Sequence, residues 1–446
     1  MSESRRTELT TNSPMDPRAL AQLSARVFWL MFAINVVNYL DRFIVVAVGP
    51  ALKAEFGLHD RAIGLLSTAF ILVYTLAALP LGLLADSTSR ARVVAVVVGL
   101  WSAVSALTAF ARSFFTLFVT RALVGVGEAG YYPAGTALLS AYFPFKQRAK
   151  IMSRWQAGQL VGVALAFLIS ALLFTWFGQS AWRLAFLLTG LPGLLLAVWM
   201  WRVPDVPPGT PPLAAPVGST GALGPREIRR HIGTALHIPT VRLVIVLQAL
   251  VFAIVTPAVT FLPIYLVSHT GPFHVSRGSA ALLAGAVTVF GGVCGMLLGG
   301  WVADRLSVRY PGARVLTAAL GFALALPCYI VMLASTALPI FVIAGLFATL
   351  ALNLQAGPLT AAVQDATPPA LRGTAVAIIL LLGHLLGDVW APTAVGAIST
   401  ALHERTGVAL LVVGVPILML ATLIALLGAR VYALDIAKRA PAELST

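Results

Sequence analysis

The chain has 446 residues, of which 59% are hydrophobic and only 10% charged, with 30 lysines and arginines against 16 acids. Soluble domains carry roughly 25% charged residues, so a water-soluble enzyme or binding module is excluded and a polytopic membrane protein is implied. The formal net charge of +14 would suit nucleic acid if it clustered on one face, but its distribution along the chain assigns it to membrane topology instead.

Residues 1–24 form a polar tail without the apolar core and small-residue cleavage site of a secretory signal, so the first span is expected to be retained. A membrane span needs about 20 mostly apolar residues. Twelve such stretches follow: 25–48, 62–84, 93–110, 114–141, 151–176 and 183–201, then 241–268, 278–302, 314–334, 338–364, 374–400 and 407–429. They are numbered spans 1 to 12. Short connections favour antiparallel neighbours. The segment 202–240 carries Pro204, Pro207, Pro208, Pro211, Pro212, Pro216 and Pro225 and reads as a mobile linker. Within it "REIRRHI" (226–232) suits a short basic helix on the anionic inner leaflet. The expected division is therefore a tail (1–24), a six-helix bundle (25–201), a linker (202–240), a second six-helix bundle (241–429) and a tail (430–446). The fold class is all-α polytopic.

Placing both termini in the cytoplasm puts 22 of the 30 basic residues on the cytoplasmic side and six outside, with Arg42 and Arg121 inside spans. That asymmetry predicts the orientation and accounts for the basic balance without nucleic acid; the expected location is the plasma (inner) membrane. Cys294 and Cys328 both lie in apolar stretches, where packing is the expected role. No H-E-x-x-H or G-x-S-x-G pattern occurs, and His and Cys are too few for a metal centre, so no enzyme and no cofactor is expected.

The two halves carry matching punctuation. "GLLADSTSRAR" (82–92) follows span 2 and "GGWVADRLSVR" (299–309) follows span 8, with Asp86 and Asp304 218 residues apart. "FPFKQRAK" (143–150) follows span 4 and "TPPALRGT" (367–374) follows span 10, with Pro144 and Pro368 224 apart. A repeat of this kind suits two bundles related by a pseudo-twofold axis.

These loops resemble the Gly-x-x-x-Asp signature of the major facilitator superfamily, although Ser87 and Ser89 depart from it. Four patches narrow the likeness: "NYLDR" in span 1, "RALVGVGEAGYYPA" in span 4, "QDATPPALRGTAVA" at the span 10–11 junction and "GHLLGDVWAPTAVGAIS" in span 11. They resemble the Spinster lipid transporters. The resemblance implies alternating access, export or flipping of lysolipids such as sphingosine-1-phosphate, coupling to protons in several members, and a cavity lined by spans 1 and 4.

Against that frame the buried charges acquire roles. Asp41 and Arg42 are adjacent, so their side chains point about 100° apart and need separate partners. Span 4 offers Arg121 and Glu128, two turns apart on one face. Arg42 and Arg121 keep their protons and are candidate anion anchors, whereas Asp41 and Glu128 can exchange theirs. His384 and Asp388 share a face of span 11 and form a second candidate relay. Tyr131, Tyr132 and Asn353 are candidate cavity positions, and Asp365 is expected to cap a helix or pair with Arg372. Gly125, Gly127, Gly130 and Gly135 suit close helix packing. Asp86, Arg90, Arg92, Asp304, Arg305 and Arg309 are expected to latch the cytoplasmic gate.

The apolar composition of the cavity spans disfavours sugars. It permits an amphiphile, and the Spinster resemblance implies that the substrate is an amphiphilic anionic lipid carried with protons; a monomer is expected. A carrier of another organic anion or of a hydrophobic drug is the alternative; span 5 lacks the Gly-Pro motif usual in drug–proton antiporters.

Overall fold

A computed structural model describes residues 17–205, 225–368 and 371–438. Among these residues the structure is helical without strands. The first half contains α1 (Pro17–Ala47), α2 (Gly49–Phe56), α3 (Asp60–Ser87), α4 (Arg90–Thr108), α5 (Phe114–Ala129), α6 (Tyr131–Tyr142), α7 (Phe145–Phe177) and α8 (Ala181–Trp201). After α9 (Pro225–His237) the second half contains α10 (Pro239–Val267), α11 (Arg277–Ser307), α12 (Ala313–Ala334) and α13 (Leu338–Asn353). It closes with α14 (Ala356–Ala366), α15 (Arg372–Leu386), α16 (Ala391–Ala401) and α17 (Thr406–Ala437).

Ten described stretches are long and apolar enough to cross a membrane. One of them, Lys150–Trp201, turns back at Gly178, whose φ of +66° is a left-handed conformation suited to glycine, and so holds two spans. The α5–α6 rod completes the twelve. The short basic helix expected at 226–232 lies within α9, which packs on α10 and α15. The stretch 206–224 of the expected linker lies outside the described residues.

Three spans are broken, and each break has the same cause. Span 4 divides at Gly130, span 10 at Leu354–Gln355 and span 11 between Gly387 and Trp390. Pro133, Pro358 and Pro392 follow these breaks. A proline has no N–H to return to the carbonyl four residues earlier, here those of Ala129, Leu354 and Asp388, and its ring crowds that carbonyl. The freed backbone is tolerated at membrane depth because it is buried in protein or lines a cavity. Leu354 stands 224 residues after Gly130, the offset already seen between Pro144 and Pro368.

Glycines set the closest crossings. A Cβ on Gly190 would lie 2.6 Å from the Ala106 nitrogen, and one on Gly193 2.9 Å from the Ser102 Cβ, so α8 lies directly on α4. Gly127 meets the Trp101 backbone nitrogen in the same way, at 2.8 Å, and brings α5 onto α4. Between the two halves, a Cβ on Gly64 would meet the Pro392 carbonyl carbon at 2.7 Å, and one on Gly396 that of Asp60 at 2.8 Å. Spans 2 and 11 therefore touch backbone to backbone. Polar contacts between the halves gather at the same end, which is the outer end in the orientation expected from the basic residues.

Candidate functional site

The break after Ala129 leaves Glu128 in the last turn of α5, facing α1. Its Oε2 accepts from both Nε and Nη2 of Arg42, at 2.9 and 2.7 Å, while Oε1 has no hydrogen-bond partner among the described residues. The Glu128 side chain is fully buried and that of Arg42 is 23% exposed. The Arg42 guanidinium is also enclosed by the rings of Tyr39, Phe70 and Tyr74, 5.2, 5.2 and 4.7 Å from their centroids. Those rings give it an apolar and weakly attractive cage.

Asp41 points elsewhere, as the helical geometry of adjacent residues requires. Its Oδ1 accepts from the Ser105 hydroxyl of α4 and from Thr189 Oγ1 of α8, the latter at 2.9 Å. Its Oδ2 is buried without a hydrogen-bond partner. Arg121 is 2% exposed, lies over Phe186 at 5.3 Å, and keeps Nε and Nη2 unpartnered among the described residues. Two acids and two arginines thus share the core of the first half, with one direct pair, Arg42–Glu128.

The second half faces this site with His384 and Asp388, on either side of the last turn of α15. His384 Nδ1 lies 3.0 Å from Asp388 Oδ2, which also accepts from Thr256 Oγ1 at 3.3 Å. The imidazole stacks on Phe252, 4.3 Å between centroids and 8° from parallel, and meets Tyr74 edge-on at 6.4 Å. Tyr74 therefore bridges the Arg42 cage and the His384 pair across the two halves.

The remaining expected positions separate. Tyr132 is 41% exposed and its hydroxyl accepts from Gln156 Nε2 at 3.1 Å. Tyr131 is instead a core residue: it is 2% exposed, donates to the Met31 carbonyl at 3.0 Å, and packs between Trp101 and Trp155. The expectation that it lines a path is corrected by that burial. Asn353 was expected to face the cavity, but it lies against the glycine face of α11, with its amide returned to the Thr349 carbonyl at 2.8 Å. Asp365 pairs not with Arg372 but with Arg314, at 2.9 Å, and accepts from Tyr432. Arg372 donates to the carbonyls of Gln364 and Thr367.

The residues expected at the cytoplasmic gate stand apart. Arg305 stacks on Trp301 of its own helix at 4.7 Å, and Asp304 and Arg309 are exposed. Arg90 and Arg92 begin α4. None of these five makes an ion pair among the described residues. Asp86 lies in the last turn of α3, and its side chain lies outside the described residues.

The structure adds an outer cluster that the sequence did not reveal. Lys53 Nζ bonds to Asp60 Oδ1 at 2.5 Å and to Glu404 Oε2. Asp60 is fully buried, and its Oδ2 accepts from Ser399 and Thr406 hydroxyls at 2.5 and 2.6 Å. Glu404 also faces His59 Nδ1 at 3.2 Å and accepts from the Asp60 backbone N–H at 3.3 Å. Lys53, His59 and Asp60 belong to the first half and Ser399, Glu404 and Thr406 to the second, so the cluster ties them together. The turn that delivers Glu404 has positive φ at His403 (56°) and Glu404 (63°) and is held by the Glu404 N–H on the Ser399 carbonyl at 2.8 Å. Burial pushes the Glu404 carboxyl up, but the Lys53 ammonium and the Asp60 N–H outweigh it and hold the group below its usual range. A little deeper, Thr68 Oγ1 meets Thr393 Oγ1 at 2.8 Å and donates to the Val389 carbonyl.

Comparison with known proteins fits this architecture. The family model of the Major Facilitator Superfamily matches residues 31–392. The chain belongs to the major facilitator superfamily. Within this superfamily of transporters, the chain is 27% identical over 377 residues to Protein spinster of Drosophila melanogaster, covering 83% of this chain and 61% of that protein. It is 28% identical over 408 residues to an MFS-type efflux pump of Mycolicibacterium smegmatis, covering 90% and 89%. Its fold matches the crystal structure of a bacterial homolog of the human lysosomal transporter Spinster, described as inward-facing and unoccupied. That match has a TM-score of 0.77 at 23% identity and covers 93% of this chain and 97% of the other. The expected Spinster likeness and the two-bundle helical fold are thereby met, and the chain is a transporter-family protein rather than an enzyme.

Proposed function

We propose that the protein is a proton-coupled secondary transporter that moves an amphiphilic anionic lipid, of lysophospholipid type, across the inner membrane by alternating access. The observation that carries this reading is the Arg42–Glu128 pair. Arg42 is a partly exposed cation in an aromatic cage, and Glu128 already neutralises it. An incoming anion and the Glu128 carboxylate compete for one guanidinium. Protonating Glu128 releases Arg42 to the anion, so a proton and an anion bind together. Tyr39, Phe70 and Tyr74 supply apolar surface beside the charge, which suits an acyl chain better than a sugar. Asp41, held by Ser105 and Thr189, is the second proton carrier, and the His384–Asp388 pair answers it from the other half.

With the outer cluster shut, the partial exposure of the Arg42 and His384 side chains, 23% and 25%, supports access from the opposite end. In the orientation supported by the basic residues, with both termini cytoplasmic, this arrangement is the inward-facing state. A hydrophobic drug is the second reading, because the mycobacterial relative is named an efflux pump.

The test is transbilayer movement of labelled lysophospholipid in proteoliposomes, with and without a pH gradient, with soluble organic anions and a cationic dye as competitors. Gradient-dependent lysolipid movement is expected, and Asp41→Asn and Glu128→Gln should fold normally while losing the response to the gradient. Movement of the dye but not of lysolipid would favour the drug reading. Normal gradient response in both variants would remove them as proton carriers.

A further inference from the structure

Away from the inter-half space, α4 and α8 run antiparallel with a register that their contacts define. Gly190 meets Ala106, Gly193 meets Ser102, and an added Cβ on Gly99 would lie 3.7 Å from that of Ala197. Toward the inner end the small residues Ala95, Gly99 and Ala197 floor a groove of about 490 Å³, walled by Val96, Leu194, Val198 and Trp201 and ended by Arg202. Val96, Val198 and Trp201 are each more than half exposed, so the groove opens on the bundle's outside.

The groove has two chemically different ends. From Leu194 to Trp201 it runs roughly 10 Å along α8 at 1.5 Å per residue. Its deep end is apolar. Its shallow end carries Trp201, an aromatic of the kind that sits at headgroup level, and beside it Arg202. The same register places Arg92, one turn before Val96 on the same face of α4, level with the 202–204 turn. Arg92 and Arg202 are both exposed, and neither meets a carboxylate among the described residues. The nearby acid, Asp205, caps α4 by accepting the Ala91 N–H at 2.7 Å. Two exposed guanidiniums above an apolar trough complement one kind of occupant, an anionic head with a chain below it.

We propose that this groove is a binding site for one anionic phospholipid of the bilayer, with its phosphate held by Arg92 and Arg202 and one acyl chain lying on Ala95, Gly99 and Ala197. The site is separate from the Arg42 cage and does not depend on the transported substrate. The choice of the inner leaflet rests on the proposed orientation; the lipid chemistry does not. The bound lipid fixes the packing of spans 3 and 6 on the side away from the second half.

Native mass spectrometry of the full chain, released from detergent after mixing with equal amounts of phosphatidylglycerol and phosphatidylcholine, tests the site. One phosphatidylglycerol per chain is expected to be retained over phosphatidylcholine by about tenfold, the ratio that follows when one charge-assisted contact separates the two lipids. R92Q/R202Q should reduce the ratio to near one. V96W keeps both arginines, adds bulk on a lipid-facing wall without touching the core, and should also lose the lipid. Equal retention of the two lipids by the unaltered protein overturns the proposal. So does undiminished phosphatidylglycerol retention in both variants. A dimer that V96W abolishes would assign the groove to a second copy and likewise overturn it. If either variant fails to fold, the lipid ratio of the unaltered protein still decides.

Discussion

Asp41 and Arg42 each need compensation at membrane depth, where a charge on a helix costs about 2.5–3.5 kcal/mol on insertion scales. They receive it in different ways, Arg42 from a carboxylate and three rings, Asp41 from two hydroxyls. The sequence could reveal that their partners differ, because adjacent helical residues diverge. It could not reveal that Ser105 and Thr189 serve Asp41, because isolated hydroxyls in apolar helices carry no periodic signal. Glu404 was hidden for another reason: its role depends on a left-handed turn that returns it to Lys53, 351 residues earlier. Its titration gives a prediction with a definite sign. The latched Glu404 carboxyl is held below its ordinary value, so its contribution to the closed outer end is complete above the ordinary carboxylate pKa of about 4.3 and is lost as pH falls through the depressed value. Lys53, His59 and Asp60 face the group from the first half, and the Asp60 carboxylate shares Lys53. Spin-label distances across the outer end should therefore stay constant from neutral pH to about pH 5 and lengthen below about pH 4. Glu404→Gln should remove that transition. An unchanged transition in Glu404→Gln would mean that another group carries it.

At the scale of elements, the twelve apolar stretches were legible because span length and polar punctuation are set by the bilayer itself. The breaks in spans 10 and 11 were not, although Pro358 and Pro392 stand in plain view, because prolines in membrane helices often only kink them. Their effect is positional: Glu128, Asn353 and the His384–Asp388 pair all lie within a few residues of a break. The second illegible feature is which glycines face which helix. Gly64 and Gly193 look alike in sequence, yet one faces the other half and one faces its own bundle. Their substitution by alanine should separate the two cases. In Gly64→Ala the new methyl meets backbone of span 11, which must move away, so the closed outer end is disfavoured while each half keeps its packing. Outer-end cysteine labelling should rise several-fold with little change in thermal stability. In Gly193→Ala the methyl meets Ser102 inside the first half, and overpacking of this kind costs about 1–3 kcal/mol, so stability falls instead. Equal loss of stability in both variants would mean that the Gly64 contact belongs to the fold rather than to one state of it.

For the whole molecule, the decisive claim is that the two six-helix bundles rock against each other, opening one end as the other shuts. The closed outer end supplies a direct way to arrest that motion. Thr68 of α3 and Thr393 of α16 bring their hydroxyl oxygens to 2.8 Å across the interface, so a pair of cysteines at these positions is the natural cross-link to try. The native cysteines, Cys294 and Cys328, are both free and would first be replaced by serine. In that background Thr68→Cys/Thr393→Cys should oxidise readily in the closed state shown by the structure. The bond would hold spans 2 and 11 together while leaving Arg42, Glu128 and His384 untouched. Transport should fall by at least about tenfold on oxidation, a shift of about 1.4 kcal/mol or more between the two states, and should return on reduction. Each single cysteine variant should transport in both conditions, which separates arrest from damage to the interface. Ligand binding should survive the cross-link, because neither substitution removes a residue of the cage around Arg42. If the oxidised double variant transports at the undamaged rate, the contact between spans 2 and 11 does not open during the cycle, and the two halves must exchange access by some motion other than separation at this end.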